Sequence, residues 1–337
     1  AGRLLRTRTR RWVALVVAAL VVAAVVVAAW PRSGPATIAA QDEKIVVPAG
    51  TGLTGTVTLD AGLYLPATTP APAVIVAHGF GGSRLSVDAD AQRLARAGFV
   101  VLTCSTRGFS RSTGQVGLDS LDYEVPDARA LVDWLAKRSE VTQDGPGDPR
   151  VGVTGGSYGG ALALMLAGTD PRIDAVAAVA TWNNLEQALF PNNTAVVKVG
   201  GNPPSPSAPV GTGTPAFIPG GADGVFKQAW AAALISSVLT TPASGPSSVG
   251  NSGYDDVPAP TKDGTAGPTA GSTSGASAGC GRLMADICAA YTQVAETGRI
   301  TPTMATLLAK SSPDQVVSTI KAPTLLVQGE QDTLFGL

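Results

Sequence analysis

Ser157 is the residue of this chain best placed to do chemistry. It stands at the apex of Gly155-Gly156-Ser157-Tyr158-Gly159, between a run rich in β-branched residues (Val151, Val153, Thr154) and the Ala/Leu-rich run 161–167. β-Branched residues favour strands, and Ala and Leu favour helices, so the stretch predicts strand, tight turn and helix. A serine held at such a turn takes a strained backbone conformation, and side chains at Gly155 or Gly159 would collide with the neighbouring strand and helix. A serine hydroxyl is a weak nucleophile near neutral pH. It needs a base within hydrogen-bond reach and a carboxylate that orients the base. Asp332, just beyond the apolar run Pro323-Thr-Leu-Leu-Val-Gln-Gly329, is the candidate carboxylate.

The base is harder to find. The chain contains one histidine, His78, which opens the loop His78-Gly79-Phe80-Gly81-Gly82 after the apolar run 73–77. In a serine site built on a strand–turn–helix elbow, the members follow the order Ser, acid, His. Only 333–337 follow Asp332, and none of them is histidine. His78 as base would break that order, so His78 and Gly79 read as residues that shape their loop. The loop itself is placed to form half of an oxyanion hole, with the backbone N–H of Phe80 as one donor and that of Tyr158 as the other.

Other reactive side chains fit structural roles. Cys104 ends an apolar strand and reads as core. Cys280 and Cys288 on one continuous helix would lie ~12 Å apart, beyond disulfide reach. A bridge between them therefore requires a break near Gly281, and both states stay open. Asp119, Asp122, Glu124 and Asp127 read as the N-terminal face of a helix, favoured by its dipole, with a cation or amine site as the alternative. No Cys or His spacing suggests zinc, and no metal or organic cofactor is implied.

The elements that must position these residues follow from hydrophobic patterning. Short strands are predicted over 45–47, 53–59 and 63–66, then 73–77, 99–103, 151–154 and 173–180, with helices over 89–97, 125–138 and 161–167. Strand and helix alternate from 73 to 182, which means βαβ units and a mostly parallel sheet covered by helices. The continuous apolar run 73–77 predicts a strand buried on both faces, and 323–329 reads as a further buried strand. Beyond Asn183 the regularity fails. Gly, Pro, Ser and Thr fill 25 of the 39 positions from 241 to 279, too little apolar surface to offset ordering entropy. Residues 200–279 read as low-complexity and mostly disordered, apart from a helix near 224–239, with further helices at 283–297 and 303–310. The organisation predicted is a core over 43–182 and 321–337, interrupted by an insertion at 183–320.

With 337 residues, a net charge of −1 and 15% charged residues, the chain has ample length for a core and no basic surface for nucleic acid. The N-terminus is different in kind. Five arginines lie in residues 1–11, and the 19 residues from Trp12 to Trp30 carry no charge. Such a run is long enough to cross a bilayer with the arginines on the cytoplasmic side. Residues 1–11 then read as a cytoplasmic tail, 12–30 as an anchor, 31–42 as a linker and the remainder as extracytoplasmic. A cleaved signal sequence, with Val27-Ala-Ala29 or Ile38-Ala-Ala40 at the cleavage site, is the competing reading and would make the protein secreted. Oligomeric state is not legible.

Taken together, His78-Gly-Phe-Gly81, Arg107-Gly108, Asp133-Trp-Leu135, Gly155-Gly-Ser-Tyr-Gly-Gly160, Ser312-Pro313 and the stretch Ile320 to Phe335 resemble the Xaa-Pro dipeptidyl-peptidase-like group of α/β-hydrolases, which includes cocaine esterase-like enzymes. The resemblance covers about 45–190 and 305–335. It implies an α/β-hydrolase fold with a cap insertion and serine hydrolysis of a small peptide or ester substrate, with Ser157 as nucleophile and Asp332 as acid. Several members of the group have a tyrosine where this chain has Phe80. The group's histidine, in a Gly-His-Asp-like stretch, has no counterpart, so the sequence reads as a C-terminally truncated, inactive form of a serine hydrolase. A hydrolase-fold binding module and a generic esterase or lipase are the alternatives.

Overall fold

In the computed structural model, residues 37–192, 224–239 and 279–336 are described, and Ile38–Leu337 form one unit. The expected membrane span over 12–30 and the low-complexity segments 200–223 and 240–278 lie outside the described residues. Among the described residues, no helix is long and apolar enough to cross a membrane.

The strands are β1 (Gln41–Pro48), β2 (Thr56–Tyr64), β3 (Ala73–Ala77), β4 (Val100–Ser105), a short hairpin of β5 (Gln143–Gly145) and β6 (Asp148–Pro149), β7 (Val151–Gly156), β8 (Ile173–Val179) and β9 (Thr324–Val327). The helices are α1 (Asp88–Arg96), α2 (Glu124–Leu135), α3 (Tyr158–Thr169), α4 (Leu185–Leu189), α5 (Gln228–Leu239), α6 (Ala285–Thr297) and α7 (Pro302–Lys310), with two 3₁₀ turns at Pro313–Gln315 and Val317–Thr319. Seven strands form one sheet in the order β1-β2-β4-β3-β7-β8-β9. β1 and β2 pair antiparallel, β2 joins β4 antiparallel, and every pair from β4 to β9 is parallel. The order and the direction are those of an α/β-hydrolase sheet, and the mostly parallel layout agrees with the sequence pattern.

Period-two alternation decides what each face meets. Along β3 and β4, Ala73, Ile75, Ala77, Val100 and Leu102 join the core under α2 and α3. Their alternates Val76 and Val101 join Tyr64 in a second cluster under α1, with Val87, Ala91 and Ala95 at helical spacing. β3 and β4 therefore bury both faces. β9 does not: Leu325, Leu326 and Val327 are 61, 64 and 47% exposed. The expectation of a buried strand over 323–329 is corrected at this point. β9 is the sheet's edge, with a neighbour on β8 alone, and no described helix covers it.

A third apolar cluster lies at the carboxyl ends of the strands. It joins Phe109, Val116, Tyr158 and Trp182 of the sheet side to residues of α4–α7, among them Ile235, Ile287 and Met304. Trp182 Nε1 donates to the carbonyl of Ser311 (2.8 Å), and Lys227 Nζ donates to that of Leu334 (2.6 Å), fastening these helices to the sheet's loops.

Candidate active site

Ser157 links β7 to α3 with φ 52° and ψ −119°, a left-handed backbone that costs a non-glycine residue of order 1–3 kcal/mol. The surroundings hold it there. The Ser157 N–H donates to Val179 O (2.8 Å), and Thr181 Oγ1 donates to Ser157 O (2.7 Å). A Cβ on Gly155 would lie 2.6 Å from the carbonyl carbon of Gly159, and one on Gly159 would lie 2.6 Å from that of Ala77 at the end of β3. The two glycines thus allow α3 to turn back across the sheet. Gly79 differs. A Cβ there would find its nearest neighbours at 3.9 Å, one of them Ser157 Cβ. Gly79 leaves space beside the serine instead of relieving a backbone clash.

The backbone N–H groups of Phe80 and Tyr158 donate to no acceptor among the described residues. Phe80 packs edge-to-face on Tyr158 (centroids 5.3 Å apart) and on Phe109 (5.2 Å), which seats the 78–82 loop against the elbow. His78 is fully buried behind this loop. Its Nε2 accepts from the Thr106 N–H (3.0 Å), which leaves Nδ1 to carry the proton and donate to Gly79 O (2.7 Å). Burial drives the imidazole down to about 4, so it stays neutral at pH 7 with both nitrogens engaged.

Asp332 lies on the loop after β9, two strands from β7 in the sheet. Its Oδ1 accepts the N–H groups of Leu334 (2.8 Å) and Phe335 (2.9 Å), while Oδ2 accepts from Gln328 Nε2 (3.1 Å). Gln328 also accepts the Thr181 N–H (3.2 Å), and Thr181 reaches Ser157 O, so a polar chain connects acid loop to elbow. Gln328 lay within the C-terminal stretch read from the sequence but was not singled out. Thr181 carried no signal. The structure brings Ser157, Gly79, Phe80 and Tyr158 together and sets Asp332 on the adjoining loop, but it brings no imidazole to them.

Ser157 opens into a cavity of about 750 Å³, counted with its mouth. Phe80, Leu118, Tyr158 and Trp182 line the sheet side; Phe226, Leu234, Ile235 and Tyr291 line the helical side; Leu334 and Phe335 close it near Asp332. Among the described residues, Ser157 and the two tyrosines are the polar ones on this surface, and no charged side chain lines it. The Tyr158 hydroxyl is turned away from it and accepts the Asp119 N–H (2.9 Å).

Glu124 and Asp127 stand in the first turn of α2, as the sequence suggested, but both are buried, and Asp119 and Asp122 lie in the loop before it. Glu124 is 1% exposed and accepts the N–H groups of Gly117 (2.5 Å) and Ser120 (2.9 Å); burial pushes its carboxyl up to about 7. Asp127 takes both arms of buried Arg107 (2.7 and 2.6 Å). Asp119 is fully buried with φ 56°, and neither carboxyl oxygen finds a hydrogen-bond partner among the described residues. Burial, with Glu124 nearby, holds that carboxyl well above the usual range; the Tyr158 hydroxyl is near enough to oppose the rise without good hydrogen-bond geometry. Asp122 alone faces outward and pairs with Lys310 (2.7 Å). Cys104 is buried as core. Cys280 and Cys288 form a disulfide, and the break it requires is present: Gly281 has φ 51° and α6 starts only at Ala285.

Sheet order, strand direction and the strand–turn–helix at Ser157 are those of an α/β-hydrolase fold. Residues 54–208 match the model of the X-Pro dipeptidyl-peptidase (S15) family. The match takes in just under half of the chain, and over that part the chain resembles the family. It is 33% identical over 118 residues to the quorum-quenching protein AidA of Acinetobacter baumannii (strain MDR-ZJ06), which is 34% of this chain and 37% of that protein. Over 106 residues it is 29% identical to an uncharacterized 31.7 kDa protein of Escherichia coli, 31% of this chain and 35% of that one. The chain spans about a third of the length of these curated relatives (37% and 35%). Among solved structures, an esterase of Pyrococcus furiosus is 21% identical with TM-score 0.38, covering 45% of this chain and 55% of that chain. Acetyl xylan esterase 1 from Thermoanaerobacterium sp. JW/SL YS485 is 24% identical with TM-score 0.36, covering 46% and 53%.

Proposed function

We propose that Ser157 is the nucleophile of a serine hydrolase acting on ester or peptide bonds. The observation that carries this reading is the left-handed Ser157, held between two glycines that admit no side chain and beside two unengaged N–H groups. Ser157 Oγ attacks the carbonyl carbon, the Phe80 and Tyr158 N–H groups stabilise the resulting oxyanion, and water then releases the acyl group. Asp332 orients the base. The imidazole that takes the proton is not His78, whose nitrogens are both engaged. These 337 residues therefore hold the nucleophile, the donors and the acid, and the base comes from outside them. Xaa-Pro dipeptide release is the specificity that the matched family suggests.

The test is covalent labelling with a fluorophosphonate, with and without free imidazole. The expected outcome is labelling that imidazole accelerates, that Ser157→Ala abolishes, and whose imidazole-dependent part drops at least tenfold in Asp332→Asn, since general-base effects are ~10²–10⁴-fold. Labelling that survives Ser157→Ala sinks the proposal. A second reading, a hydrolase-fold module that binds without turnover, is favoured by the engaged His78 ring. It predicts binding without any imidazole-dependent labelling.

A further inference from the structure

Among the described residues, the cavity above Ser157 has an apolar lining without a charged group. A peptidase that recognises a free N-terminus must take an ammonium out of water, which costs several kcal/mol unless a carboxylate meets it. Among the described residues, no acid lines the cavity. Asp119 is fully buried and does not line it. Glu124 holds the Gly117 and Ser120 N–H groups, Asp127 holds Arg107, and Asp332 Oδ1 holds two backbone N–H groups of its own loop. The cavity surface beside the serine is instead aromatic and aliphatic, on both the sheet and the helical sides.

We propose that this cavity is an acyl subsite for a neutral, apolar acyl group well larger than acetyl, so that the substrates are carboxylic esters of medium-chain acids instead of peptides with a free N-terminal ammonium. The assignment rests on Ser157 being the nucleophile. In the reaction Ser157 Oγ bonds to the ester carbonyl carbon, and the carbon–alkoxy bond breaks. The leaving alcohol takes up the proton lost by Ser157. Water then cleaves the acyl-serine ester to the free acid and restores the hydroxyl. Chain specificity comes from α5: Ala231, Leu234 and Ile235 present one face of that helix to the cavity.

Binding is measured on the Ser157→Ala chain, which cannot turn over, by calorimetric titration with 1-octanoylglycerol, 1-acetylglycerol and alanyl-proline amide. Each buried methylene contributes up to about fourfold in affinity. The octanoyl ester is therefore expected to bind at least about a hundredfold tighter than the acetyl ester, and tighter than the dipeptide amide. Ala231→Phe, which fills the cavity, is expected to remove at least about tenfold of the chain-length preference. Leu234→Lys, at a half-buried wall position, should do the same and serves if the first variant fails to fold. Equal binding of octanoyl and acetyl esters, tighter binding of the dipeptide amide, or a preference that survives both variants overturns the proposal. Octanoyl preference without fluorophosphonate labelling of the unmodified chain refutes the nucleophile reading alone, whereas labelling without chain-length preference refutes the acyl subsite alone.

Discussion

His78 shows how burial sets the role of a single side chain. Its imidazole, held near 4 by burial, binds fewer protons when folded than an ordinary histidine at 6.5. Its contribution to stability is thus present above about 6.5 and is lost as pH falls through about 4. As the one imidazole of the chain, it gives a single resolved set of histidine NMR signals. Those signals are expected to report the neutral Nδ1–H form from pH 8 down to about 5; a midpoint near 6.5 would contradict the hydrogen-bond assignment. Glu124 has the opposite sign. Its carboxyl, raised from 4.5 to about 7, adds stability that is full below about 4.5 and lost as pH rises through about 7. Glu124→Gln should flatten that fall in thermal midpoint between pH 5 and 7, at the cost of one backbone acceptor, about 1–3 kcal/mol.

At the scale of elements, the β7–α3 turn and the 280–288 loop are held by different physics. Gly155→Ala drives a methyl into the backbone of Gly159, and unfolding by urea should show a loss of about 1–3 kcal/mol together with loss of fluorophosphonate labelling. Gly79→Ala meets nothing closer than 3.9 Å, so stability should be retained while labelling slows, because the methyl occupies the space beside Ser157. The 280–288 loop is closed covalently. Opening it with Cys288→Ser removes a short-loop constraint worth roughly 2–3 kcal/mol on the chain-entropy view. The expected readout is a lower thermal midpoint and a loosened α6, which carries Ile287 and Tyr291 of the cavity wall.

For the whole molecule, the sheet is covered unevenly. β3 and β4 lie between helices, whereas β9 exposes Leu325, Leu326 and Val327, and Val179 of neighbouring β8 is 36% exposed. An open apolar edge strand is a template for pairing with other chains. Concentration-dependent self-association of this chain is therefore expected, and Leu326→Lys should reduce it by light scattering with little change in thermal midpoint. An unchanged association would mean that copies meet elsewhere.

The local pattern was enough for the elements that carry their own periodicity. The alternating runs from 73 to 182 determined a parallel sheet with helices on it, and Gly155-Gly-Ser-Tyr-Gly159 determined the turn, because its glycines and β-branched flank admit few other backbones. Burial was not legible, since it depends on what arrives from elsewhere in the chain. The same apolar composition became core in β3 and an open edge in β9. Four acids that read as one helix face divided into an exposed pair with Lys310, a buried pair with Arg107, a backbone cap and an unpartnered carboxyl, because the 107–120 loop folds over the start of α2. Cys280 and Cys288 were linked only once Gly281 broke the helix between them. The apolar cavity, assembled from residues 80 to 335, existed in no stretch of sequence. Spacing along the chain marks Ser157 as a candidate; the close approach of distant side chains decides the company it keeps.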